Sequence, residues 1–215
     1  MTQLYKRFTN ETADLRNLAV QIIDAPKHHR DWRFKYASVS LISELWQVWC
    51  KFCREIIILS CSGTLNRDGS LVAGRSGDNT WQRIAYEFKE YAPGKPLKST
   101  GRINSMWKQP TWGDINKFLS VIPSLGISNE VTLTNAFGCN LQAPKHLQIV
   151  RNACLHLNAE TFKNVTDLLP FYIGFAINHP FELIWRSYPT SRSDAIFEWI
   201  DGLEIIADFA TSPTT

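Results

Sequence analysis

An all-α fold is what this sequence predicts, and three observations carry the prediction. Apolar residues recur at three- and four-residue steps over most of the chain, and no run alternates at period two for long enough to build a sheet. Pro, Gly and small polar residues fall between the periodic runs, where helices start and stop. With 215 residues, 44% hydrophobic and 20% charged, the chain can bury one sizeable core. The expectation is a single domain over residues 1–215, a helical bundle with a long central helix and a Gly-rich loop insertion at about 60–79.

Residues 2–24 read as a first helix, with Leu4, Phe8, Leu15, Leu18, Ile22 and Ile23 on one repeat, ended by Pro26 and the basic cluster Lys27, His28, His29 and Arg30. From about Arg30 to Ser60, Phe34, Leu41, Leu45, Trp49, Phe52, Ile56 and Leu59 recur at helical steps with no Gly or Pro. A second apolar edge, Ile42, Trp46, Cys53 and Ile57, marks this helix as a spine buried on two sides. Gly63, Gly69, Gly74 and Gly77 then announce a loop, with a short hairpin turn at Arg67-Asp68-Gly69-Ser70. Residues 81–91 form a short amphipathic helix closed by Pro93-Gly94. Thr111-Trp112-Gly113-Asp114 fits a capping box before Ile115, Phe118, Leu119 and Ile122, and residues 129–135 suit either helix or strand. Pro144 sits in the first turn of a helix carrying Leu147, Ile149, Val150, Cys154 and Leu155. Asn158 is placed to cap a further helix over 159–169, which puts a break just after His156. Helix is also expected after His179-Pro180, and after Ser191-Arg192-Ser193-Asp194, a second capping-box pattern.

Charge excludes little. Lys plus Arg is 23 against 20 for Asp plus Glu, a formal charge of +3, which is weaker than the basic stripe of a dedicated nucleic-acid binder. Residues 95–117 are locally basic, with Lys95, Lys98, Arg102, Lys108 and Lys117 against the single acid Asp114. A solvated face is the default reading of such a segment; attraction of RNA phosphates by Lys98, Arg102 and Lys108 is the functional one. Trp107 and Trp112 beside Lys108 suit base stacking or, as commonly, a core or interface. No run of 18 apolar residues is present, and five cysteines form no secreted disulfide framework, so a cytoplasmic, reduced protein without membrane contact is expected.

The chemistry concentrates in Arg151-Asn152-Ala153-Cys154-Leu155-His156. RNA carries its own nucleophile, the 2′-hydroxyl, so cleavage without a metal needs a proton carrier and a cation for the charge developing on phosphorus. Imidazole exchanges protons near neutral pH, and a guanidinium meets phosphate oxygens in a fork. His156 is therefore assigned to proton transfer, Arg151 to phosphate binding and transition-state stabilisation, and Asn152 to orienting the imidazole or contacting the same phosphate. Asn152 and His156, four apart, share a face of a continuing helix. Arg151 and His156, five apart, lie roughly 140° apart around it. The latter two meet only if the helix ends near His156, if Arg151 bends around, or if a second subunit completes the site.

This R-N-x-x-x-H sequence, preceded by the apolar pair Ile149-Val150 and followed by Leu157-Asn158-Ala159-Glu160, resembles the R-x4-6-H signature of the HEPN superfamily of small all-helical domains. No other Arg–His pair in the chain has that spacing. The resemblance implies a metal-independent endoribonuclease without a cofactor, a homodimer with two motifs facing across the interface, and products ending in a 2′,3′-cyclic phosphate and a 5′-hydroxyl. It further implies a toxin of a toxin–antitoxin or antiphage abortive-infection system, with an antitoxin or defence protein as partner. The alternative is a non-catalytic helical RNA-binding or scaffolding module of a defence complex. Glu44, Trp46 and Trp49 also resemble the first large helix of such bundles; Glu44 is a possible partner of Arg151, though the solvated side suits it better.

Other constellations are weaker. Cys50-x-x-Cys53 lies mid-helix without a second pair, which reads as core and not zinc. His28-His29 with Asp24 reads as a solvated turn, and Cys154 points away from His156 on a helix.

Overall fold

A computed structural model describes residues 1–25, 32–174 and 176–212. The expected turn at Pro26–Arg30, with His28 and His29, lies outside the described residues. Eight α-helices are found among them: α1 (Thr2–Asp24), α2 (Trp32–Ser62), α3 (Trp81–Glu90), α4 (Ile115–Val121), α5 (Glu130–Cys139), α6 (Gln142–Leu155), α7 (Ala159–Thr166) and α8 (Ala195–Thr211). The fold is all-α; the one sheet among the described residues pairs β1 (Thr64–Leu65) with β2 (Leu71–Val72) antiparallel, Thr64 opposite Val72. No helix among them is long and apolar enough to cross a membrane.

The chain gathers into two compact units. One comprises Met1–Arg7, Cys50–Cys139 and residues from Ile205 on; the other comprises Phe8–Trp49 and Asn140–Glu204. Helices α1, α2 and α8 contribute residues to both. At 31 residues, about 46 Å, α2 is the spine its two apolar edges predict: Leu41, Ile42, Leu45, Trp46, Trp49, Phe52, Cys53, Ile56 and Ile57 are all buried.

In the first unit the core is an aromatic row. Trp112 lies against Phe88 (centroids 4.7 Å apart), Phe88 edges onto Phe118 (5.8 Å), and Phe118 stacks on Phe137 (3.9 Å). Burial of each ring contributes roughly 2 kcal/mol. Asp114, and not Thr111, caps α4: its carboxylate accepts the N–H groups of Asn116 and Lys117, both at 3.1 Å. Both residues suit a cap chemically; the helix starts one turn later than the box suggested because Trp112 is drawn into the core. Residues 130–139 are helical despite Val131, Thr132 and Thr134, because the helix buries Leu133, Ala136 and Phe137.

The Gly-rich segment is tightly held. Its hairpin turns at Asn66–Ser70 as expected, with Asn66 N–H donating to the Ser70 carbonyl (2.8 Å). Gly63 and Gly74 pass so closely that a Cβ on Gly74 would lie 2.8 Å from the Ser62 carbonyl oxygen. Beyond the hairpin, one carboxylate on α3 does the anchoring. Glu87 takes the Arg83 Nε at 2.6 Å and lies 2.7 Å from Arg75 Nη2, an ion pair off hydrogen-bond geometry. These three side chains are only 10–13% exposed. Arg75 also donates to Asn79 Oδ1 (2.9 Å) and the Leu125 carbonyl (3.1 Å), and Arg83 to the carbonyls of Lys98 (2.6 Å), Ser99 (3.0 Å) and Gly101 (3.1 Å). Two loops with little apolar content are thereby fixed by charge.

In the second unit Phe8, Leu15, Ala19 and Ile22 of α1 and Ile196, Trp199, Ile200 and Leu203 of α8 are buried, and the buried Thr12 donates to Glu204 Oε1 (2.5 Å). Gly202 lets α8 approach the start of α6: a Cβ there would sit 2.6 Å from that of Ala143. Residues 180–185 form a 3₁₀ segment and not the expected α-helix, capped by His179, whose Nδ1 accepts the Phe181 N–H (3.3 Å). The second capping box is also absent as such. Ser191 Oγ accepts the Ser193 N–H (3.2 Å) in a local turn, and Ser187 pairs with Asp194 in a β-bridge that leads into α8.

Replacing Glu87 by Gln leaves two mostly buried guanidiniums without a counter-charge. The expected loss is about 3 kcal/mol of unfolding free energy by urea titration, with faster amide exchange in residues 73–79 and 98–101. A loss under about 0.5 kcal/mol would refute the anchoring role.

Candidate functional site

Helix α6 brings the hexapeptide to its last turn. Pro144 occupies the first turn, where its missing N–H is not needed, and Ala143, Leu147, Val150 and Ala153 form a buried face. The helix packs on the 3₁₀ segment Pro180–Trp185 and on α7.

The helix stops at Leu155. The His156 N–H still donates to the Asn152 carbonyl (2.8 Å), but with φ −131° and ψ 57° the residue has left the helix. Two residues on, Asn158 opens α7 through a reciprocal capping box: its Oδ1 accepts the Thr161 N–H (2.9 Å) and its N–H donates to the Thr161 hydroxyl (3.0 Å). That hydroxyl lies 2.8 Å from the His156 carbonyl, to which the Asn158 amide also donates at 3.3 Å. The break therefore falls where the angular mismatch between Arg151 and His156 calls for one. Asn152 and His156 stay joined through the backbone hydrogen bond between them.

Arg151 and Asn152 are brought together. Arg151 Nη1 donates to Asn152 Oδ1 at 3.1 Å, and Arg151 Nε is buried with no hydrogen-bond partner. Among the described residues no carboxylate pairs with Arg151, and Glu44 is exposed. The imidazole of His156 is exposed, and among the described residues no side-chain hydrogen bond links it to Arg151.

The other described histidines have structural duties. His179 caps the 3₁₀ segment, and burial lowers its pKa. His146, one turn and a half before Arg151, is buried; its Nδ1 lies 2.6 Å from the Tyr172 hydroxyl. Tyr172 also accepts the Trp199 indole N–H (3.1 Å) and meets the Tyr188 hydroxyl (3.1 Å). Burial, and secondarily the charge of Lys145, push His146 down to about 4. The neutral ring meets the Tyr172 hydroxyl through Nδ1, and that hydroxyl has three partners in His146, Tyr188 and Trp199, with the Trp199 indole N–H as a donor. Sequence reading passed over this network. Its only signal was a polar residue at the core-facing position before Leu147, and its partners lie 26 to 53 residues away (positions 172, 188 and 199 against 146). Cys154, inside the hexapeptide, is raised to about 12 by burial, so its thiol stays protonated at neutral pH. Cys53 is buried in the core and its thiol is likewise raised by burial.

The basic segment is on the surface of the other unit. Lys98, Arg102 and Lys108 are exposed, and Arg102 pairs with Asp78. Asp78 is lowered to about 2, mainly by the hydroxyl and N–H of Thr80 and only then by Arg102. The two tryptophans divide: Trp112 is buried and donates to Gln109 Oε1 (2.8 Å), and so is not a stacking residue, while Trp107 is exposed.

His146 has a pKa near 6.5 when unfolded and about 4 when folded, so the folded chain binds fewer protons between those values. Its contribution is constant above pH 6.5 and is lost as pH falls toward 4, on the order of 3 kcal/mol in total. Urea titrations at pH 7.5 and 4.5 should show this loss shrink in His146→Gln; an equal pH dependence in both proteins would exclude His146 as the sensor.

No family model, no curated protein and no solved structure matches this chain.

Proposed function

We propose that the chain is a metal-independent endoribonuclease of HEPN type, with Arg151, Asn152 and His156 as its reactive set. The observation that supports this reading is the end of α6 at Leu155, followed by an exposed His156, with a half-buried Arg151 in the last turn that lacks a carboxylate partner among the described residues. An arginine committed to structure is commonly paired with a carboxylate; Arg151 is held by an amide instead, which leaves its fork open to an anion. Asn152 turns its carbonyl to Arg151, which leaves its NH₂ group to donate to a phosphate oxygen.

In the reaction so proposed, the 2′-oxygen bonds to phosphorus and the bond to the 5′-oxygen breaks. Arg151 and Asn152 stabilise the phosphorane oxygens, and one imidazole takes the 2′-proton while another delivers a proton to the leaving 5′-oxygen. A single chain offers one His156, so a second copy supplying the other imidazole completes the set. Leu155 and Leu157, 44% and 55% exposed on either side of His156, support a homodimer closing over this edge. The cellular role proposed is that of a toxin in a toxin–antitoxin or abortive-infection system, restrained by an antitoxin or a defence protein.

Incubation of purified protein with RNA in EDTA should yield 2′,3′-cyclic phosphate ends. His156→Ala and Arg151→Ala should each slow cleavage at least about 100-fold, while His156→Ala changes stability by less than about 0.5 kcal/mol. Undiminished cleavage in either variant would sink the assignment. Wild-type protein that leaves RNA intact and does not arrest growth on expression would favour the non-catalytic binding module.

Replacing Leu157 by Asp should convert a dimer into monomers in sedimentation and reduce cleavage in parallel. Full cleavage by a demonstrable monomer would remove the second copy from the mechanism.

A further inference from the structure

Trp107 is 83% exposed, more than any other large apolar side chain described. Exposure on a loose loop would mean little, but this indole stands on a built support. Residues Met106–Lys108 form a 3₁₀ turn closed by Lys108 N–H to the Ser105 carbonyl (3.1 Å) and Gln109 N–H to the Met106 carbonyl (3.3 Å). The Gln109 side chain fixes the turn from behind: its Oε1 accepts Arg54 Nε (2.9 Å) and Trp112 Nε1 (2.8 Å), and its Nε2 lies 2.9 Å from the Met106 sulfur. From α3, Lys89 donates to the Lys108 carbonyl (3.1 Å). Three elements therefore hold a large apolar ring in water, where burying it elsewhere would be worth roughly 2 kcal/mol.

The surroundings are cationic. Lys108 Nζ sits 5.2 Å from the Trp107 ring centroid, and Lys89 is exposed beside it. Arg83, six residues before Lys89 on α3 and so about 9 Å along the helix, pins the carbonyls of Lys98 and Gly101. This places exposed Lys98 along the same helix. Of the acids nearby, Asp78 is engaged with Thr80 and Arg102, Asp114 with the start of α4, and Glu87 with Arg75 and Arg83, while Glu90, next to Lys89, is exposed. An aromatic face accompanied by ammonium groups matches one chemical unit, a base joined to a phosphate.

We propose that Trp107, with Lys108 and Lys89, is a docking platform for single-stranded RNA, one base stacking on the indole and the adjoining phosphates meeting the two ammonium groups. The choice of RNA rests on the ribonuclease reading; the platform itself does not include Arg151 or His156.

The test uses the full-length His156→Ala protein, so that RNA stays whole, with a fluorescein-labelled 12-nucleotide oligouridine in EDTA. Adding Trp107→Ala should raise Kd about tenfold or more, with partial recovery for Trp107→Phe, and Lys108→Gln should lower the salt dependence of binding by about one unit of slope. Equal Kd with and without Trp107, or no binding by the parent protein, would overturn the proposal. So would concentration-dependent self-association that Trp107→Ala abolishes in the absence of RNA binding, which would identify a protein interface. Cleavage by wild-type protein with no Trp107 effect would reject the platform alone, and Trp107-dependent binding without cleavage would reject the nuclease alone.

Discussion

The candidate site depends on a helix that has to end. A continuing helix would turn Arg151 and His156 apart by roughly 140°, and α6 ends at Leu155, with His156 already outside helical geometry. The break is not left to weak propensity. Asn158 and Thr161 cap the next helix reciprocally, and both converge on the His156 carbonyl, so the end of one helix and the start of the next share a single oxygen. Contacts of α6 and α7 with each other and with the 3₁₀ segment then hold the bend.

Polar side chains recur as organisers where apolar content is thin. Glu87 joins two arginines and, through them, two loops to α3; the Tyr172 hydroxyl joins α6, α8 and the segment containing Tyr188 through three partners. Both are hubs in which one central group serves several peripheral ones, and low local dielectric strengthens each bond. The same economy makes them vulnerable, since loss of the central group strands several partners at once. They also sharpen the chemistry by exclusion: His146 and His179 are occupied, which leaves His156 as the described histidine with its ring open to solvent.

Much of this was legible in the sequence, for reasons that differ by element. Helices α1 and α2 were plain because long periodic runs bury whole faces, and the hairpin because Asp68-Gly69 can turn only in a few ways. The end of α6 was legible because Asn158 is a strong cap with Thr161 in reach. The cap of α4 was misplaced since Thr111 and Asp114 are chemically interchangeable there, and tertiary burial of Trp112 decides between them. Trp107 and Trp112 have similar neighbours in sequence and opposite fates, which only the aromatic row around Phe88 explains. The Arg151–Asn152 hydrogen bond was not foreseen, because neighbours in sequence on a helix point to different sides and only the observed side-chain conformations join them.

The convergence on the His156 carbonyl has an evolutionary corollary. At this position the backbone carries the architecture and the side chain carries none of it. Substitutions at this exposed side chain meet little packing constraint, so on the proposed reading a single codon change would remove the imidazole and keep the fold. Well-folded descendants lacking the imidazole are accordingly easy to reach, and the proposed activity and the helical scaffold can be lost or kept independently of one another.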